Sequence, residues 1–321
     1  MAHTMAQEME YLYYTPTHVL CELYLNDDYR GVYTIADKIE VARHKIELNT
    51  GDNPDEPGFL IEIGWDYSKT NVRDRDYFDT PIIVRLFVKE PKIESANNSQ
   101  MKYIKNYMKK AEDAILADGN YEDYVDIDAF VDWFIIAELT NNTEMAFYRS
   151  CYLYKPDGGK IIMGPVWDFD WGFGSIATAN TPERWTCSAN TQGTTSTENS
   201  FFKEWAADPY FLLKAYERYW ETARPEYVRL TAPGGAVDQA VATLSEAGAA
   251  DDRLGRDSRR RHPDGRDRDE LERRKGRHCG GEEGARRRHD AAPVVLLHLH
   301  SGARERSGRV FQLLVLRAAA D

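Results

Sequence analysis

Residues 128–139 read Asp-Ala-Phe-Val-Asp-Trp-Phe-Ile-Ile-Ala-Glu-Leu and are apolar on nearly every side of a helix. A helix that is hydrophobic all round is buried among other elements, so this segment predicts a central helix inside a folded core. The chain has 321 residues, of which 42% are hydrophobic and 12% aromatic, and such a chain can build that core. These features exclude a disulfide-stapled miniprotein and a wholly disordered chain.

Segments before and after this helix predict the elements that surround it. Apolar and polar residues alternate on either side of Asn26-Asp27-Asp28, which predicts a β-hairpin over residues 17–41. Apolar residues at helical spacing predict a second long helix that begins at Ser99 and ends near Gly119. We expect further strands over residues 58–64, 81–88, 151–154 and 160–170, and a further helix over residues 201–224. A sheet-rich front followed by helices predicts an α+β fold.

The segment Trp167-Asp168-Phe169-Asp170 is the sharpest chemical signal in the chain. In the strand predicted here, side chains two residues apart point to the same face, so the carboxylates of Asp168 and Asp170 would project side by side. Their repulsion would be relieved by Mg²⁺ or Mn²⁺, which prefer hard oxygen ligands. The alternative is a pair of solvated aspartates on an exposed face. The aromatic residues between and beside them favour the metal site, because burying unpaired charge is costly.

Asn142 and Glu144 follow the central helix directly, in a polar loop. The next two predicted strands form a hairpin that returns the chain to Asp168, so an amide oxygen and a further carboxylate could face the aspartate pair. Helix capping and surface solvation are the alternative, since loops commonly use Asn and Glu in this way. The combination of these residues with the aspartate pair favours a functional site.

The blocks around these residues resemble the CotH spore-coat kinase family. They are Leu-Asn-Asp-Asp-Tyr-Arg-Gly-Val-Tyr from residue 25, Gly-Phe-Leu-Ile-Glu-Ile from residue 58, residues 128–135, Glu-Leu-Thr-Asn-Asn from residue 138, and Gly-Pro-Val-Trp-Asp-Phe-Asp-Trp-Gly-Phe-Gly from residue 164. The blocks follow the family's order, and the resemblance covers about residues 14–227. It implies an atypical protein-kinase-like fold.

The resemblance also implies a reaction, in which the γ-phosphate of ATP passes to serine residues of a partner protein, in spore formers a coat protein. The family's Trp-Asp-x-Asp block supplies a metal-binding aspartate, which corresponds to Asp168 with Asp170 beside it. Its Asn-x-Asp supplies the catalytic carboxylate, and Asn142 and Glu144 take that place here, with Asn142 also expected among the metal ligands. ATP and Mg²⁺ or Mn²⁺ are the implied cofactors. A spore-coat, secreted or cell-surface location is implied as well.

Two other functions are compatible with the same residues. The first is a non-catalytic module of spore-coat or cell-surface assembly that keeps the fold as a scaffold. The second is a metal-dependent hydrolase, since paired aspartates also activate water. The sequence offers no dedicated third histidine or carboxylate for hydrolysis, so the hydrolase is the weakest of the three.

The chain departs from the family pattern at its catalytic position and near its beginning. Glu144 stands where the family has Asp, and its side chain is one methylene longer, a difference in reach that matters for phosphoryl transfer. Asp37 stands where the family usually has Glu. Lys38 and Arg43 are the early basic residues next to a motif, and Lys38 is the expected nucleotide contact. The resemblance further implies that the front part of the family domain is missing from this chain.

The composition changes at residue 250, which predicts a domain over residues 1–250 and a separate tail over residues 251–321. The tail holds 17 Arg and one Lys against 13 acidic residues, and one aromatic residue, Phe311. It shows neither helical nor strand periodicity, which predicts little ordered structure. It is either an arginine-rich interaction tail or the product of a shifted reading frame. The frame shift is favoured, because a tail selected to bind phosphate would be expected to use Lys as well.

Net charge, hydropathy and cysteine spacing argue against several other classes of protein. The formal net charge of −12 argues against a nucleic-acid binder, whose phosphate contacts need a basic face. The sequence has no run of 18 apolar residues and no signal peptide at its amino end, which predicts a chain without a membrane span. The four cysteines lie far apart without a Cys-x-x-Cys pair, so we expect buried free thiols.

Overall fold

The computed structural model describes residues 1–26, 28–48, 54–64, 77–83, 85–92, 98–117, 119–142, 144, 149–174 and 200–242. The described residues fall into two compact units. The larger unit contains Met1–Thr17 and Asp37–Val228, and the smaller contains His18–Ala36 and the described residues from Arg229 onward. Helices and strands are mixed in the chain, as the α+β prediction requires.

The predicted hairpin forms the sheet of the smaller unit. Strands β1 (His18–Leu25) and β2 (Asp28–Ala36) pair antiparallel, with an irregularity between Leu23 and Tyr24. Asn26 has φ +52°, a left-handed conformation that Asn tolerates in a tight turn. A short helix over Ala236–Ala242 also belongs to this unit and is numbered α7.

The larger unit contains a five-stranded antiparallel sheet. Its strands are β3 (Phe59–Ile63), β4 (Tyr77–Phe78), β5 (Leu86–Glu90), β6 (Cys151–Lys155) and β7 (Ile162–Met163), arranged in the order β4-β5-β3-β6-β7. The central strand β3 pairs with β5 on one side and β6 on the other. Its apolar side chains are almost fully buried, as a central position requires: Phe59, Leu60, Ile61 and Ile63.

The two long helices that the sequence predicts are both present. Helix α2 covers Asn98–Leu116, and its buried stripe consists of Ile104, Met108, Ala111 and Ile115. Helix α3 covers Ile127–Thr140, and Asp128 is its one residue that is not buried. Asp126 caps the beginning of α3 by accepting a hydrogen bond from the Ala129 N–H at 3.3 Å. The central helix is therefore confirmed.

The helix predicted over residues 201–224 is interrupted. Helix α4 covers Phe201–Trp205, and helix α5 covers Pro209–Arg218. Asp208 causes the break, because its carboxylate accepts the Tyr210 N–H at 2.9 Å and Pro209 follows it at the first helical position. A π-helical turn over Tyr219–Ala223 and helix α6 (Arg224–Thr231) follow.

Two predicted strands are shorter than expected. Ladder pairing of the segment predicted over residues 81–88 begins only at Leu86, because the buried Glu112 accepts the N–H groups of Ile82 and Ile83 and holds the chain outside the sheet. Only Ile162–Met163 of the segment predicted over residues 160–170 is a strand. Gly164 (φ +125°) and Asp168 (φ +61°) turn the backbone away from extended geometry.

Helices α6, α7 and a short amino-terminal helix were not predicted, and several predictions lie outside the described residues. Helix α1 (Ala2–Gln7) buries Ala2, Met5 and Ala6 but is too short to show a period in sequence. The Cys151 thiol is buried, as expected, and Cys21 is partly buried. Cys187, Cys279, the predicted loop over residues 178–199 and the tail over residues 251–321 lie outside the described residues. Among the described residues, no helix combines the length and apolar character that crossing a membrane requires.

Candidate functional site: a carboxylate cluster

The candidate site begins where helix α3 ends. Asn141 adopts a left-handed conformation, with φ +49°, and its N–H reaches back to the carbonyls of Ala137 and Glu138. The Asn142 N–H also reaches the Ala137 carbonyl, at 3.1 Å. Such an end satisfies the last carbonyls of a helix and turns the chain sharply. Asn142 and Glu144 are therefore held directly beneath the end of the buried helix.

Asn142 joins this helix end to the segment that carries the aspartates. Its side chain is fully buried, and its amide nitrogen donates to the Asp168 backbone carbonyl at 2.7 Å. Its amide oxygen accepts the Glu144 N–H at 3.3 Å. One side chain thus fixes the backbone at two carboxylate-bearing positions, Glu144 and Asp168. In the structure Asn142 lies beside the carboxylates and orients the backbone that carries them. Its predicted role as a metal ligand stays a prediction.

The loop that carries Asp168 and Asp170 packs against the end of α3. The Phe173 N–H donates to the Thr140 carbonyl at 2.5 Å. Gly172 lies so close that an added Cβ would stand 3.1 Å from the Phe169 carbonyl oxygen and 3.2 Å from that of Thr140. Only glycine fits this approach without a shift of the backbone. The loop and the helix end are therefore one packed structure.

Three carboxylates converge at this place. One ligand oxygen from each of Glu144, Asp168 and Asp170 lies within 4.8 Å of the other two. Glu144 is buried, Asp168 is half-buried and Asp170 is exposed, so the cluster extends from the interior to the surface. The Ser150 hydroxyl donates to Asp168 Oδ2 at 3.2 Å and orients that carboxylate. Three converging carboxylates form a hard-oxygen donor set of the kind that Mg²⁺ and Mn²⁺ use.

The electrostatics of the cluster favour a cation. Burial raises the pKa of Glu144, and together with the neighbouring Asp168 and Asp170 it brings this pKa to about 7 against the opposing effect of Arg149. Burial and the adjacent Asp168 also raise the pKa of Asp170. The Oε2 atom of Glu144 is buried and has no hydrogen-bond partner among the described residues. A buried oxygen acceptor without a partner is costly, and a bound cation would satisfy it.

Arg149, like Ser150, is a site residue that the sequence did not single out. Its Nε forms an ion pair with Glu144 Oε1, and its guanidinium lies 4.4 Å from the centre of the Trp171 ring. A cation held on a Trp face and paired with a buried carboxylate belongs to the site by geometry. The sequence signal was weak, because a single Arg before a predicted strand is ordinarily a surface residue.

Lys38 lies elsewhere in the larger unit. Its side chain is 81% exposed, and its ammonium pairs with Glu40 at 3.8 Å. Its backbone carbonyl accepts a hydrogen bond from Lys45. Among the described residues these contacts do not connect Lys38 to the carboxylate cluster, and its predicted contact with a nucleotide stays a prediction.

The proximity of Asp168 and Asp170 has a different origin from the one the sequence suggested. The expected strand would have placed both side chains on one face, whereas the segment leaves the sheet after Met163. Asp168 instead takes a left-handed conformation with φ +61°, and Asp170 lies in a turn. The turn brings the carboxylates together and also directs them toward Glu144.

Comparison with known proteins gives a family match. A family model described as CotH kinase protein matches residues 1–253 of the chain. No curated protein matches the chain. The matched span includes all three carboxylates, Asn142 and Arg149.

Proposed function

Because the chain belongs to the CotH kinase protein family, we propose that it is a metal-dependent phosphotransferase that moves the γ-phosphate of ATP to serine residues of a coat or surface protein. The proposal includes an atypical protein-kinase-like fold for residues 1–250 and a role at the spore coat or cell surface. The family match over residues 1–253 supports it. The mixed α+β architecture is compatible with it.

The carboxylate cluster is the observation that carries this proposal. Glu144, Asp168 and Asp170 offer oxygen ligands within 4.8 Å of one another, and Glu144 Oε2 has no partner among the described residues. This donor set fits Mg²⁺ or Mn²⁺, with Asp168 as the best-oriented ligand. A metal held by these residues would supply positive charge that offsets the negative charge of the phosphate groups.

The chain's own residues have separate roles in the proposal. Asn142 and Ser150 fix Asp168, the former through its backbone carbonyl and the latter through Oδ2. Glu144 is the proposed catalytic carboxylate. Asp168 and Asp170 would carry the metal, and Glu144 Oε2, the oxygen that Arg149 does not hold, would orient the serine hydroxyl of the acceptor and accept its proton. Its raised pKa, about 7, makes it a stronger base than an ordinary Glu. Because Glu144 is one methylene longer than the Asp of the family pattern, its carboxylate reaches farther toward the acceptor than that Asp would.

Phosphate transfer from labelled ATP tests the proposal directly. The purified chain is incubated with γ-labelled ATP, Mg²⁺ or Mn²⁺ and a serine-rich acceptor peptide, and label on serine is measured. We expect metal-dependent transfer that Asp168→Asn reduces at least about a hundredfold, since this change removes a ligand charge. Asp113→Asn is the matched control, because Asp113 is an exposed helix residue paired with Lys109. Equal transfer by the two variants would contradict the assignment.

The non-catalytic assembly module remains a second candidate, and the pairing of Glu144 with Arg149 favours it. A catalytic carboxylate must reach the acceptor hydroxyl, whereas Glu144 Oε1 is held by a guanidinium. Calorimetry with ATP and Mn²⁺ distinguishes the two functions. Absence of nucleotide binding, together with retained binding of a coat or surface protein, would favour the scaffold.

A further inference from the structure

The carboxylate cluster contains its own cation. Arg149 Nε pairs with Glu144 Oε1, and the side chains of the pair are 33% and 2% exposed. The Trp171 ring supports the guanidinium from one face at 4.4 Å. The pair is therefore partly screened from water, and charges in such a setting interact more strongly than on an open surface.

The backbone fixes Arg149 at this place. Its N–H donates to the Glu144 carbonyl at 3.4 Å. The next residue, Ser150, has φ +57° and donates its hydroxyl to Asp168. The chain then enters β6 at Cys151, whose thiol contacts the Glu144 carbonyl at 3.6 Å. Arg149 is thus tied on both sides to residues of the cluster.

We infer that Arg149 competes with a divalent cation for the carboxylate cluster and thereby sets its metal affinity. The inference rests on the proposed metal site. In the ionised form that binds a metal, the three carboxylates carry three negative charges, and the guanidinium cancels one of them. Its positive charge also repels an approaching metal ion. It occupies Glu144 Oε1, which leaves Oε2 as the oxygen without a hydrogen-bond partner in the described part of the chain.

The sign of the effect distinguishes this role from a purely structural one. Loss of a structural Arg would loosen the site and weaken metal binding, whereas loss of a competing cation strengthens it. At an effective dielectric constant near 20, a unit charge a few ångströms from a divalent ion changes the affinity of the site for that ion by at least about tenfold. We therefore expect Arg149→Gln to bind Mn²⁺ about tenfold more tightly than the wild type. Arg149→Lys keeps the charge and should stay within about twofold.

The first comparison is Mn²⁺ titration calorimetry on the full chain and on Arg149→Gln. Lys109→Gln is the matched control, because it removes one positive charge from an exposed helix pair. The control should bind Mn²⁺ as the wild type does. Circular dichroism of each of these proteins verifies that it is folded.

The Arg149→Gln protein could fail to fold, because the buried Glu144 carboxylate loses its ion-pair partner. A second pair of variants tests the inference in that case. Glu144→Gln is compared with the double variant Glu144→Gln/Arg149→Gln, which leaves no buried carboxylate without its partner. Removal of Arg149 should tighten Mn²⁺ binding in this pair too. Unchanged or weaker binding in both pairs overturns the inference while leaving the metal site intact. Absence of Mn²⁺ binding in every protein would instead refute the proposed metal site, and the inference with it.

Discussion

The side-chain amide of Asn142 donates to the backbone carbonyl of Asp168 across a distance of 2.7 Å, joining the end of the central helix to the loop of the carboxylate cluster. Asn142 is fully buried, so water cannot replace this bond. The same side chain accepts the Glu144 N–H. The geometry of the cluster therefore depends on an amide that bears no charge itself.

Asn142→Asp tests this dependence. The substitution keeps the acceptor for the Glu144 N–H but places a buried carboxylate oxygen against the Asp168 carbonyl. We expect a loss of about 1–3 kcal/mol in the free energy of unfolding, measured by urea titration, because a buried acceptor then lacks a donor. Asn106→Asp, at an exposed position of α2, should change stability by less than about 0.5 kcal/mol. Equal effects at the two positions would contradict the proposed role of Asn142.

Two substitutions in the cluster should give different phenotypes. Asp168→Asn should weaken Mn²⁺ binding at least about tenfold, because it removes a ligand charge at a place that Ser150 orients. Glu144→Gln should lower turnover about a hundredfold and leave nucleotide binding within about threefold, since a proton acceptor acts on the acceptor hydroxyl. Glu217→Gln, exposed on α5, is the control. Calorimetry and phosphate transfer measure the two quantities, and identical profiles for the two variants would contradict separate roles.

Gly172 provides a test of the packed loop. An added methyl group would stand 3.1 Å from the Phe169 carbonyl oxygen and 3.2 Å from that of Thr140, so one of these backbones must shift. We expect Gly172→Ala to cost about 1–3 kcal/mol of stability and to weaken Mn²⁺ binding. Gly64→Ala is the matched control, because its nearest neighbours are 3.8–3.9 Å away. A fully stable Gly172→Ala protein with wild-type metal affinity would show that the loop tolerates displacement.

The sequence predicted those elements whose residues repeat at the period of the element. Helix α3 could be predicted because nearly all of its positions are apolar, and α2 because its apolar residues follow one stripe. The first hairpin could be predicted from alternation around a polar turn. In each case the buried face requires apolar residues at a regular spacing, and this spacing is visible in the sequence.

The remaining features depend on individual contacts. The segment after Met163 has the composition of a strand, but Gly164 and Asp168 take positive φ values that tertiary packing imposes. The ion pair of Arg149 with Glu144 likewise depends on the turn at Ser150. The carboxylates could be singled out by residue type, whereas the bonds that orient them could not be predicted, because no periodicity encodes them.

Asp132 allows a prediction about pH that is independent of the carboxylate cluster. It lies fully buried on α3, where it accepts the Tyr11 N–H at 2.8 Å and an Arg218 N–H at 2.9 Å. Burial raises its pKa from 3.8 to about 6, although both of these donors act to lower it. The folded state therefore holds this proton more tightly than the unfolded state between these two values.

The sign of the pH effect follows from that difference in pKa. The contribution of Asp132 to the free energy of unfolding is fully present below pH 3.8 and is lost as the pH rises through about 6. We expect the wild type to lose about 1–3 kcal/mol more than Asp132→Asn between pH 4.5 and pH 7.5 in urea titrations, since one pKa unit corresponds to about 1.4 kcal/mol. Asp113→Asn, at an exposed position, should follow the wild type, and other buried carboxylates affect all three proteins equally. Parallel pH curves for the wild type and Asp132→Asn would show that Arg218 keeps Asp132 ionised throughout this range.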